Sequence, residues 1–158
     1  MKETERIADQ LKRAFTGDAW HGPALFEILP GITAQQAAAH PLVGRHSIWE
    51  LVLHIEAWTR VVQRRLHGDR AQLTDAENFP PVTNTDEQAW EQTRNAAKQA
   101  YEELSAAVLQ LDDSRLEQPI IEGMSSVYVN LHGAIQHSLY HAGQIAILKN
   151  AATERQTT

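Results

Sequence analysis

Three histidines in this chain are placed where side chains can do chemistry together. His137 and His141 are four residues apart in a segment with helical periodicity. At about 100° per residue they differ by only about 40° around a helix axis and stand one turn apart. Two imidazoles so placed can converge on one metal ion. Their face also carries Asn130, Gly133, Ala134, Gln144 and Leu148, so it is uncharged, and histidines on it need partners to offset desolvation. His54 falls mid-helix in another segment, where a core hydrophobe is expected, and shares a face with Ser47, Glu50, Leu51, Trp58 and Val61. Taken singly, each is as well explained as a hydrogen-bonded core histidine. Together, three inward histidines on two helices supply the three-nitrogen set that catalytic metals use, with one coordination position left open. The pattern leaves both readings standing.

Two further residues flank the set. Glu50 lies one turn before His54, and is a candidate to orient an imidazole or to act as a general base. It is also the reciprocal partner of a Ser47 helix cap, which does not exclude that role. Gln144 lies one turn beyond His141 and can hydrogen-bond a substrate or a ligand, or simply a core neighbour. Tyr140, Trp20, His21 and Trp58 are candidates to line a pocket, with core packing the alternative for the aromatic rings. His132 falls roughly opposite His141 on its helix and is excluded as a ligand of the same ion. His21, His40, His46 and His67 sit near helix ends or in loops and need no special role.

The elements that must position these groups are helical. Ile7, Leu11, Ala14 and Phe15 share a face of a first helix over about 3–15. Short helical pieces are expected after Gly22-Pro23 and at Thr33-Ala34-Gln35-Gln36. The second main helix opens at the Ser47-Ile48-Trp49-Glu50 capping box and continues to about Leu66. Arg60, Arg64 and Arg65 fall in its last turns, where cations suit the helix dipole. The third starts at Thr85-Asp86-Glu87-Gln88, with Trp90, Thr93, Ala97, Ala100, Leu104, Val108 and Leu111 as a bundle seam. The fourth covers about 126–150. The polar connection at 68–84, with Phe79-Pro80-Pro81, is long for a compact domain; it serves either a functional purpose or a plain return between bundle ends. No segment reads as a strand. The expected fold is an all-α four-helix bundle, one domain over 1–150 with a frayed tail at 151–158.

Composition narrows the function. The chain has 158 residues and no cysteine, so it offers no thiolate ligand, disulfide or cysteine nucleophile. Fourteen basic against twenty acidic residues give a net charge of −6, which disfavours nucleic-acid binding. The charged start, Met1-Lys2-Glu3-Thr4-Glu5-Arg6, shows no signal peptide. Residues 123–148 hold no Asp, Glu, Lys or Arg, but their Asn, Gln and His residues are costly in lipid, so a buried or interface helix is expected instead of a membrane span.

The chain resembles the DinB/YfiT-like family of metalloenzymes. The likeness is carried by His137-Ser138-Leu139-Tyr140-His141-Ala142-Gly143-Gln144-Ile145 and by Ser47-Ile48-Trp49-Glu50-Leu51-Val52-Leu53-His54-Ile55. Ala19-Trp20-His21-Gly22-Pro23 and Phe79-Pro80-Pro81 add to it. The resemblance implies a bundle of non-standard, up-down-like topology. It implies a divalent metal, nickel or zinc, held by His54, His137 and His141. It implies a cytoplasmic homodimer and transfer of a low-molecular-weight thiol, such as bacillithiol, to a small electrophile. A metal-dependent hydrolase and a non-catalytic dimeric metal- or ligand-binding bundle remain the alternatives. With no cysteine in the chain, any thiol must come from a cosubstrate.

Overall fold

Seven α-helices account for most of the computed structural model, which describes residues 1–154. Four are long: α1 (Glu3–Phe15), α4 (Ile48–Leu66), α6 (Glu87–Leu109) and α7 (Val127–Glu154). Three are short: α2 (Leu25–Ile28), α3 (Ala34–Ala38) and α5 (Asp75–Asn78). No strand forms among the described residues beyond an isolated bridge between Pro119 and Ser126. No described helix is long and apolar enough to cross a membrane.

The helix starts show how local chemistry sets these elements. Helix α1 has no side-chain cap of its own. Its Glu3 and Thr4 amides donate instead to the Asp113 carboxylate, at 2.9 and 3.0 Å, and these bonds hold that carboxyl below its usual range. Helix α4 starts as the sequence predicts: the Glu50 amide donates to Ser47 Oγ, and the Ser47 amide donates to Glu50 Oε2 at 2.7 Å. The cap of α6 falls one residue past the expected Thr85. Asp86 accepts from the Ala89 amide at 2.7 Å, while its own amide donates to Asn84 Oδ1. A carboxylate is the stronger acceptor for the free amides of a first turn. The first amides of α7 reach back to the preceding loop, Val127 to Gln118 O and Tyr128 to Leu116 O.

The four long helices form an all-α four-helix bundle in which each packs against two others, in the order α1, α6, α4, α7 around the bundle. Cross-helix partners fix the directions. Trp49 donates to Thr93, Arg60 to Ala96 O and Glu103, and Gln63 to Glu103, so α4 and α6 advance together as parallel neighbours. His54 meets His137 and His141, so α4 meets α7 well before the latter's C-terminal end. Leu51 shares a cavity wall with Gln144 and Leu148, while Val62 shares one with Asn130, which makes α4 and α7 antiparallel. The Asp113 contact places the start of α1 beside the end of α6. A parallel α4–α6 pair demands a return path, because α4 rises roughly 28 Å at 1.5 Å per residue. The connection after α4, with α5 inside it, is that path. Arg64 pairs with Asp69 and Arg65 donates to Ala71 O at its start, so two of the arginines in the last turns of α4 anchor the crossover.

The core is filled by residues such as Phe15, Leu25, Ile55, Trp90, Leu104, Leu131 and Ile145. Two of its hydroxyls are satisfied one turn back, Thr59 by Ile55 O and Ser138 by Ala134 O, and the Trp90 indole reaches across to Ile32 O. Helix α7 carries on past the expected boundary, with Ala152 buried. The remainder of the expected frayed tail, 155–158, lies outside the described residues.

Candidate metal centre

Antiparallel α4 and α7 bring His54, His137 and His141 together, and each offers a ligand atom within 4.8 Å of the others. His137 Nε2 lies 2.9 Å from His54 Nε2 and 3.2 Å from His141 Nε2. His54 and His141 are buried and His137 half-buried.

The outer ring nitrogens decide what the inner ones can do. His54 Nδ1 is 2.7 Å from the backbone oxygen of Asn78. A carbonyl can only accept, so Nδ1 carries the proton and donates. His141 Nδ1 is 2.7 Å from Gln144 Oε1, and donates to it in the same way. In the neutral rings this leaves Nε2 of His54 and of His141 with lone pairs only. His137 Nε2 faces both and has at most one proton to give. The set therefore holds more inward lone pairs than protein protons can satisfy, and a cation at the centre resolves that. The spacing agrees: three nitrogens at zinc-like bond lengths on a tetrahedron stand about 3.3 Å apart.

Electrostatics keep the rings neutral. Burial pushes the His137 imidazole down to about 4, with His141 and His54 adding to the shift. Burial also lowers His54 and His141, against the opposing effect of the hydrogen bonds they donate to Asn78 and Gln144. A neutral imidazole has its lone pair free for a metal at physiological pH.

The crossover completes the wall. Asn78, the last residue of α5, holds His54 by its carbonyl and accepts from the Trp58 indole through Oδ1 at 2.8 Å. The next residue, Phe79, is stacked between two imidazoles. Its centroid lies 4.1 Å from His54 and 3.7 Å from His46, with the three rings parallel to within 2°. The 68–84 connection is thus a return path that also supports the site. Asn78 and His46 carry no spacing signal toward His54; Phe79-Pro80-Pro81 enters the sequence reading only as part of the long connection and through the family resemblance.

Other expected residues divide. Gln144 touches the set directly, through His141. The Glu50 carboxylate accepts from the Ser47 amide, from His40 Nε2 at 3.1 Å and lies 3.5 Å from His46 Nδ1. These contacts hold its carboxyl below the usual range in spite of partial burial, and they engage it with the cap and two loop imidazoles, not with the three-histidine set. Trp58 is beside the site, its ring 6.3 Å from that of His137, and the exposed Tyr140 ring is 5.1 Å from His141. Trp20 and His21 are elsewhere: they line a separate cavity with Arg13 and Leu139, on the α1 side of α7. His132 stands off the set against Tyr128, as its helix angle requires.

Two cavities flank the centre. One, of about 320 Å³, is lined by His137, Trp58 and Gly133, among others. The other, of about 350 Å³, meets the centre through Gln144 and His46 and carries Arg45 and Ile147 on its wall.

A helical bundle that points three neutral imidazoles from two facing helices at one another could hold a metal ion. The chain belongs to the DinB superfamily, whose family model matches residues 19–145 and so takes in all three histidines. Neither the curated proteins nor the solved structures compared with the chain match it.

Proposed function

We propose that this protein is a metal-dependent transferase that moves a low-molecular-weight thiol onto a small electrophile, with zinc or nickel as its ion. The observation that carries the proposal is the donor set itself: three inward Nε2 atoms, two of them locked as acceptors by Asn78 and Gln144, with space beside His137. A dipositive ion there supplies the charge that lowers the pKa of a thiol into the neutral range. The chain contributes the rest. Asn78 and Phe79 hold the His54 ring in plane, and Gln144 holds His141. The thiol must be external, because the chain has no cysteine.

The carboxylate geometry takes away the one general base expected to assist hydrolysis at this site. A hydrolytic site is helped by a free base beside the attacking water. Glu50, the carboxylate expected in that role, is engaged by Ser47, His40 and His46. A thiol whose proton is already labile needs no such base. We further propose that the protein works in the cytoplasm as a homodimer.

The test is consumption of a chlorinated aromatic electrophile with and without added thiol, in the wild type and in His54→Ala. The expected result is metal- and thiol-dependent turnover that vanishes in a folded His54→Ala variant. Turnover that needs no thiol contradicts transfer and favours hydrolysis. No turnover across a panel, with metal removal changing only melting, favours a binding module.

A further inference from the structure

The cavity of about 320 Å³ between α4 and α7 has a composition more specific than a gap between helices requires. At one end is His137. At its side is Trp58, whose indole is held by Asn78 and therefore presents a fixed aromatic face. Arg65 also lines it, its guanidinium carbon 6.0 Å from the Trp58 ring centre. Arg65 Nε donates to Ala71 O at 3.0 Å, which pins the side chain. Among the described residues, its two terminal nitrogens have no hydrogen-bond partner. A pinned guanidinium with both terminal nitrogens free is a fork matched to a carboxylate.

Gly133 is the second, independent mark. It sits inside α7, where glycine weakens a helix relative to alanine. Packing does not demand it: no neighbour stands within 4 Å of the place a Cβ would take. Its backbone conformation is ordinary helix. What the missing side chain provides is floor space in this cavity, beside His137.

We infer that this cavity is a binding site for a small thiol that carries a carboxylate, with the sulfur at the His137 end, the carbon body between Trp58 and Gly133, and the carboxylate on Arg65. This rests on the thiol-transfer proposal and adds the thiol's charge and orientation to it. An apolar wall with one fixed cation is the usual composition of a site that orients a small acid.

The test is calorimetric binding of 3-mercaptopropionate and of 1-propanethiol to the zinc-loaded protein. The acid is expected to bind at least about tenfold more tightly, the increment of a charge-assisted pair. Arg65→Gln should remove most of that difference, read as the ratio of the two affinities. Gly133→Leu should weaken both ligands while the protein still takes up zinc. Equal affinities in the zinc-loaded wild type overturn this inference alone. So does a difference that persists undiminished in Arg65→Gln, since the carboxylate is then held elsewhere. Failure of the wild type to take up zinc overturns the metal centre and this inference with it.

Discussion

The two sides of the bundle solve the problem of a helix interface differently. Between α1 and α6, Phe15 stacks on Tyr101 at 4.7 Å, and buried Leu104 and Val108 extend the α6 face. Between α4 and α7, the same kind of interface spends three positions on imidazoles and keeps a cavity beside them. On the first side, contacts end within the protein. On the second, His54 and His141 are tied by their outer Nδ1 atoms, and the Nε2 atoms of all three rings face one another. The contrast fits histidines that await a ligand: Thr59 and Ser138 are satisfied by carbonyls one turn back and Trp90 by Ile32 O, whereas among the described residues the inward Nε2 atoms of the three imidazoles meet only one another. That leaves room in the account for a ligand from outside at the Nε2 group.

That contrast separates the effects of substitutions. The largest loss of stability belongs to the apolar side. Leu104→Ala, at a site with no solvent exposure, is expected to cost about 2–5 kcal/mol in chemical unfolding, with metal content per folded chain unchanged. A metal loss in that variant, under conditions where it stays folded, would break the division between the two sides.

Acid should act on the histidine side. For the metal-stripped protein, His137 titrates near 4 when folded and near 6.5 when unfolded. The unfolded chain therefore binds more protons between those values, and stability falls as pH drops through that window. His54 and His141, also shifted down, act in the same direction. Thermal unfolding of the metal-free protein from pH 7 to pH 4 should show a falling midpoint, and His137→Leu should flatten the slope. An equal slope in both would remove His137 from the account.

A smaller effect sharpens the comparison within the site. Gln144→Leu takes away the acceptor for His141 Nδ1 and frees the ring to choose its tautomer. Competition against a chelator dye should show zinc affinity weakened by about tenfold, with stoichiometry kept. An unchanged affinity would make Gln144 a bystander.

The parts legible in the sequence are those governed by local periodicity. The i, i+4 spacing of His137 and His141, the Ser47 box and the Trp90–Val108 seam each depend on one helix, and each appears where the pattern puts it. Convergence of His54 on the other two needed the packing of α4 on α7, which the pattern of inward histidines left open and the family resemblance implied. The supports of the site were not legible in the same way. Asn78 acts through its backbone carbonyl, which no side-chain pattern encodes, and Phe79 reaches His54 only because parallel α4 and α6 force the chain back along the bundle. Glu50 shows the limit of face-sharing arguments. It is on the His54 side of α4 by angle, but its carboxylate turns back to the helix start, where the Ser47 amide, His40 and His46 gather around it. Trp20 shares a motif with no distance information, and it lies on the far side of α7.

The central claim is that the three histidines hold a metal ion. Metal content by mass spectrometry, on protein purified without a histidine tag and beside a His137→Ala/His141→Ala double variant, tests it most directly. The expected result is close to one zinc or nickel per chain in the wild type and none in the variant. Wild-type protein that holds no metal, even after dialysis against zinc and nickel, would return His54, His137 and His141 to the core and contradict the claim.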